Sequence, residues 1–152
     1  MSAATRGAAT AGAVGALTTT LLHEITRRLL PDAPRVDLLG MQAFARGVQA
    51  AGFAPPGGRP LYALTLAGDL ASNTAYFSLV GASPRGKAVV VGLALGVAAG
   101  LGAVFLPPYM GLSADLTTRT PTTTVLTTAL YTAGGIAAGL VYHGLPDHPP
   151  TA

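Results

Sequence analysis

Few side chains in this sequence are equipped for chemistry, and Asp69 is the most informative of them. It stands alone in an apolar run at 61–82, with Asn73 four residues on and Tyr76 continuing the same helical face. A carboxyl group beside an amide and hydroxyls can relay a proton or cation, or anchor a hydrogen-bonded network that fixes helix register. Asp69 lies nine residues past Pro60, about 14 Å along a helix, close to the centre of a hydrocarbon layer roughly 30 Å thick. An acid at that depth is costly unless it is paired, neutralised or hydrated. The same depth count brings Thr18 from a first run, and Thr127 or Tyr131 from the last, to the level of Asp69. No Lys or Arg inside the runs offers a counter-charge. The threonines do not decide between relay and network, because Thr hydroxyls often bond the preceding turn of their own helix.

The histidines give weaker signals. His23-Glu24 opens like the zinc-protease pattern H-E-x-x-H, but Arg27 occupies the second His position, and the metal grip needs both. Glu24 and Arg28 are four apart in the favourable order for an ion pair at a helix end, with Arg27 beside them. His23 is expected to pair locally with a carbonyl or carboxylate, at the membrane face opposite His143. Neither histidine is expected to reach Asp69. His143, Asp147 and His148 read as an ordinary polar tail rather than a metal site, since Pro146 and Pro149 make the segment irregular. The stretch Gly81-Ala82-Ser83-Pro84-Arg85-Gly86-Lys87-Ala88 almost spells a phosphate-binding loop. It has Ala88 where a magnesium-binding hydroxyl belongs, and no strand precedes it.

Composition fixes the setting in which these groups work. Of 152 residues, 10% are charged and 50% hydrophobic, and the mean hydropathy is +0.50. A soluble domain carries roughly 25% charged residues, so the expected environment is a bilayer. Cysteine is absent, which excludes disulfides and iron–sulfur clusters. The pI near 9.7 reflects scarce acids rather than abundant bases. The nine Lys and Arg form no dense patch with interleaved aromatics, so no nucleic-acid partner is expected.

The fold expected is all-α: a polytopic four-transmembrane-helix bundle in one membrane domain, 1–146, followed by a polar tail, 147–152. The spans are about 7–26, 61–82, 88–106 and 121–142, each near the 20 or so residues a bilayer requires. The first meets His23, Glu24, Arg27 and Arg28 and has no small-residue cleavage site after it, so it reads as retained rather than as a signal peptide. Within the first loop, Val36, Leu39, Ala43, Phe44 and Val48 recur at helical spacing, with Arg35, Gln42, Arg46 and Gln49 opposite. This predicts a short amphipathic helix at about 35–50, lying on the membrane surface or packed on the end of the bundle. Residues 54–60, with three Pro and two Gly, read as a linker.

Arg27, Arg28, Arg35, Arg46, Arg59 and Arg119 fall on one side of a four-span chain, and Arg6, Arg85 and Lys87 on the other. The richer side is expected to be cytoplasmic, with both termini outside. Tyr62, Phe105 and Tyr109 would lie near the inner boundary, and Phe77 and Tyr142 near the outer one.

Helices in lipid associate through small residues that let backbones approach. Gly92, Gly96 and Gly100 make a glycine-zipper pattern, and Gly135 and Gly139 repeat the spacing in the last span. These faces serve either packing within the chain or a homo-oligomer seam. The leading functional expectation is a small non-enzymatic membrane protein, acting as a homo-oligomer or as an accessory subunit of a larger membrane complex. The alternative is a channel or proton-coupled transporter of a small solute, with Asp69, Asn73, Thr127 and Tyr131 lining the path. Hydrolysis would need a nucleophile with a base, or paired acids, at one depth, and no such set is visible. No metal or cofactor is expected; bound lipid is the one plausible small-molecule component.

Overall fold

A computed structural model describes residues 2–145, which form helices joined by turns and loops, with no strand among them. The helix α1 (Ala3–Leu29) begins where the Ser2 hydroxyl accepts the Thr5 amide at 3.1 Å, satisfying one of the free donors of the first turn. It stops before Leu30, which is extended (φ −121°, ψ 129°) because Pro31 follows. The helix α2 (Val36–Ala50) ends just before Gly52 (φ +84°), a conformation that favours glycine.

The helix α3 (Gly58–Phe77) starts inside the stretch expected to be a linker. Pro60 sits in its first turn, where the missing amide costs no helical hydrogen bond. Instead of continuing to residue 82, α3 tightens into a 3-10 turn at Ser78–Ala82. The helix α4 (Ala88–Phe105) ends ahead of Pro107-Pro108. After the single turn α5 (Asp115–Thr118), Thr120 caps α6 (Pro121–Gly144), accepting the Thr123 amide at 3.1 Å. The tail expected at 147–152 lies outside the described residues.

Two helical segments, Arg85–Phe105 and Pro121–Gly144, are long and apolar enough to cross a membrane. The helices α1 and α3 have the length, 27 and 20 residues, but carry charged and strongly polar side chains (Arg6, His23, Glu24, Arg27 and Arg28 in one, Arg59, Asp69 and Asn73 in the other) and fall short of that apolarity.

The helix α6 packs against α4 on one side and α1 on the other, and α3 packs against α1; α3 and α4 meet at few positions. The α4–α6 contact runs antiparallel through the expected glycines. Gly92 lies against the Gly135 carbonyl, and Gly139 against that of Ala88. A Cβ added at Gly96 would be 2.7 Å from Thr132 Cα, and one at Gly100 would be 2.6 Å from Thr128 Cα. These faces are therefore occupied within the chain.

The core comprises Ala11, Phe77, Val80, Ala88, Ala138 and Tyr142. Of the aromatics expected near the outer boundary, Phe77 is 0% and Tyr142 6% exposed, so both rings face the protein interior rather than its surroundings. The small neighbours Ala11, Ala88 and Ala138 leave interior space that the two rings fill. Phe105 and Tyr109, in contrast, are exposed.

The helix α2 is docked on one end of the bundle, with no residue fully buried. Gly40 lies close to the Thr65 methyl, Gln42 Oε1 accepts the Ser113 amide at 3.0 Å, and Arg46 donates to the Met110 carbonyl at 3.2 Å.

Candidate functional site

Antiparallel packing of α1 on α3 aligns two polar helix faces. On α1 the face is Thr19, Thr20, His23, Glu24 and Arg27; on α3 it is Tyr62, Thr65 and Asp69. The steps of three and four residues keep each set on one side of its helix. Tyr131 of α6 closes the back, and Val36, Asp37 and Gly40 of α2 cover the end. Together they line a partly open cavity of about 60 Å³, of a size to admit water or a small polar group.

The cavity contains polar atoms that the fold leaves unsatisfied. Among the described residues, both ring nitrogens of His23 and the hydroxyls of Thr20 and Thr65 are buried without a hydrogen bond of good geometry. The Thr20 hydroxyl does lie near enough to the Asp69 carboxyl to interact with it, short of a well-formed hydrogen bond. His23 is only 5% exposed, and its ring meets Tyr131 edge-on at 5.2 Å between centroids. Asp69 accepts a hydrogen bond from Asn73 Nδ2 at 2.9 Å. Buried unpaired donors and acceptors each cost about 1–3 kcal/mol, so their clustering marks a place where the fold gives up stability.

At the mouth the charges are matched. Glu24 lies between Arg27 at 2.6 Å and Arg28 at 2.5 Å. Asp37 accepts two bonds from Arg35, at 3.0 and 2.9 Å. Partial burial alone would raise the Asp37 carboxyl, but the two Arg35 bonds outweigh it and hold the group below the usual carboxylate range. Every acid lining the cavity except Asp69 thus has a guanidinium partner; among the described residues, no cation stands within ion-pair distance of Asp69.

The structure brings together Asp69 and Tyr131, as the depth count expected, with Asn73 beside Asp69. It leaves out the two threonines assigned to that level. Thr18 is half-buried and not part of the wall. Thr127 is buried, but its hydroxyl is bound to the carbonyls of Thr123 at 2.8 Å and Thr117 at 3.2 Å. His23 differs most from expectation. It has no local carbonyl or carboxylate partner and lines the same cavity as Asp69. The signal was available in the spacing of Thr19, Thr20, His23 and Arg27, which share one face; Thr65, one turn before Asp69, was equally visible.

His143 lies at the other end, with Nδ1 3.0 Å from the Arg85 carbonyl, and the Arg85 guanidinium sits 5.5 Å from the centre of the Tyr142 ring. No group of three or more His, Asp or Glu among the described residues is placed to hold a metal ion. Comparison of the chain with protein-family models, with curated proteins and with solved structures finds no match.

Proposed function

We propose that the chain is a four-span integral membrane protein, with α1, α3, α4 and α6 as its spans, that moves a small solute in exchange for protons at Asp69. The observation that carries this reading is the cavity. An acid without a counter-ion shares one partly open cavity with a tyrosine, an unpartnered histidine and two hydroxyls without a well-formed bond. An ionisable residue inside a membrane is by default read as marking a solute or proton path. The Arg-rich ends of α1 and α3 and the loop carrying Arg119 would face the cytoplasm, with both termini outside.

In this scheme Asp69 alternates between a protonated form and a carboxylate that attracts a donor or a cation. His23, Thr20, Thr65 and Tyr131 supply hydrogen bonds to the solute. Glu24 with Arg27, and Asp37 with Arg35, form the charged rim through which it passes. Proteoliposomes carrying a pH-sensitive dye test the reading. Wild-type protein is expected to give a solute-dependent proton flux, and Asp69→Asn to abolish it. Wild-type vesicles without flux across a panel of small cations and neutral solutes, or unchanged flux in the Asp69→Asn variant, would refute it.

Association with further copies or with a larger membrane complex is a second proposal. It would use the outward row Leu17, Leu21 and Ile25 of α1, each at least half exposed, since the glycine faces of α4 and α6 are already in contact. Concentration-independent monomers in detergent, with no co-purifying partner, would remove it.

A further inference from the structure

The weak contact between α3 and α4 leaves a groove of about 650 Å³ on the flank of the bundle, within the size range of small-molecule sites. Its walls are mostly apolar: Leu39 and Ala43 of α2, Ala98 and Ala99 of α4, and Leu106 and Met110 beyond. Tyr76 spans it, donating to the Leu95 carbonyl at 2.9 Å. Asp69 and Tyr131 line both this groove and the polar cavity, as do Val36 and Gly40. The two spaces therefore lie on either side of the same residues, with the acid bordering both. One is shaped for a chain of methylenes and the other for a small polar head.

The chemistry of that head follows from charge. Asp69 is the cavity acid without a cation, so an anionic head is repelled. A phosphorylated or zwitterionic head does not suit 60 Å³. An ammonium group carries three donors and no acceptor. The cavity offers it the Asp69 carboxylate, the hydroxyls of Thr20 and Thr65, an imidazole nitrogen of His23 that is nine-tenths buried and unpartnered, and the flanking ring of Tyr131. We propose that groove and cavity form one site for an amphiphilic primary amine, with its hydrocarbon tail between α3 and α4 and its ammonium head on Asp69. This deepens the reading given above and rests on it: the amine is the class of solute that exchanges with a proton. Protonating Asp69 removes the charge that holds the head, so binding weakens as pH falls. The other ionisable groups facing the site are His23, Glu24 and Arg27 from α1, Asp37 from α2, Tyr62 and Tyr76 from α3, and Tyr131 from α6. Of these, His23 also gains positive charge on acidification and acts in the same direction.

The test measures binding of dodecylamine, dodecanol and dodecanoate to the full chain in nanodiscs, with protein-free discs subtracted. Dodecylamine is expected to bind saturably, on the order of tenfold or more tighter than dodecanol, and dodecanoate not to bind. Asp69→Asn should bring the amine to the level of the alcohol and leave the alcohol unchanged. His23→Gln should retain a pH-dependent affinity carried by Asp69. Because Asp69→Asn could disturb the bundle, Ala98→Phe provides an independent arm. Ala98 is exposed on the groove wall, so the ring blocks the tail without touching the acid, and amine binding should fall while helicity is kept. Equal affinity for amine and alcohol, or amine binding insensitive to both variants, overturns the proposal. Saturable, Asp69-dependent amine binding without proton flux would uphold this site and refute transport. Asp69-dependent flux of another solute, undisturbed by dodecylamine, would uphold transport and refute this site.

Discussion

A single added methyl group separates the glycines that hold α4 to α6 from those that do not. At Gly96 a Cβ would meet Thr132 Cα and the Tyr131 carbonyl, both at 2.7 Å and both backbone. Ordinary Cβ contact begins near 3.4 Å, so the two helices must separate locally by about 0.7 Å, the difference between those distances. A gap of that size forfeits roughly a quarter to a half of the dispersion energy of the contacts it opens. Overpacking of this kind costs about 1–3 kcal/mol, against which alanine recovers up to about 1 kcal/mol of helix propensity. Gly96→Ala is therefore expected to destabilise by up to about 2 kcal/mol. Gly102, on the same helix, is the control. Its added Cβ would meet only the end of the Leu106 side chain, at 3.5 Å, so Gly102→Ala should be neutral or stabilising by about 0.5–1 kcal/mol. Unfolding free energies from titration of detergent micelles with SDS, followed by helical circular dichroism, would compare the two. The difference should not depend on protein concentration, since the contact lies within one chain. Equal stability of the two variants would refute the α4–α6 register on which the bundle is built.

Other perturbations probe the cavity, the core and the rim. His23→Leu removes a buried ring with two unpartnered nitrogens and should raise stability by about 1–3 kcal/mol in the same titration; destabilisation would mean the histidine is paired. Thr127→Val should cost about 1 kcal/mol through the lost bond to the Thr117 carbonyl and leave liposome flux at the wild-type level. Phe77→Ala empties a fully buried site and should cost about 3–5 kcal/mol, read as a lowered unfolding midpoint. Against the upward push of burial, Arg35 holds the Asp37 carboxyl below its ordinary 3.8, so the folded form releases that proton more readily than the unfolded one. The pair's contribution is present in full above that ordinary value and is lost as pH falls through the folded one. Asp37→Asn should therefore flatten the acid limb of a stability–pH profile, and an unchanged limb would assign it to another group.

Helix positions were readable from the sequence because their signals are local. Pro107-Pro108 and Thr120-Pro121 mark ends that the structure places within a residue or two. The amphipathic repeat from Val36 to Val48 became α2. What failed needed knowledge of neighbours. Phe77 and Tyr142 look interfacial by position along the chain, but alanines of α1, α4 and α6 make room for them inside. Thr18 and Thr127 were expected at the depth of Asp69 but do not line its cavity, and a depth count alone carries no rotation. His23 was assigned to a helix end because Glu24, Arg27 and Arg28 follow it. Those three side chains pair with one another at the rim, and the histidine turns inward.

The treatment of hydroxyls elsewhere in the bundle shows why the cavity is unusual. Thr10, Thr19, Thr127, Thr128 and Thr132 each return their hydroxyl to the carbonyl four residues earlier, at 2.7–3.3 Å, the usual way for a helix to bury a threonine. Thr20 and Thr65 sit in helices of the same kind and have the same option, yet neither hydroxyl takes it. Their exception coincides in space with the unpartnered nitrogens of His23 and with an acid lacking a cation. Random imperfections would be scattered along four long helices, whereas these converge where α1, α3 and α6 meet beneath α2. That the fold satisfies its polar groups with local bonds almost everywhere, and withholds them at one point, is the observation on which the proposed ligand site rests. The stability gained by His23→Leu and the binding or flux lost with Asp69→Asn are two readings of that same exchange.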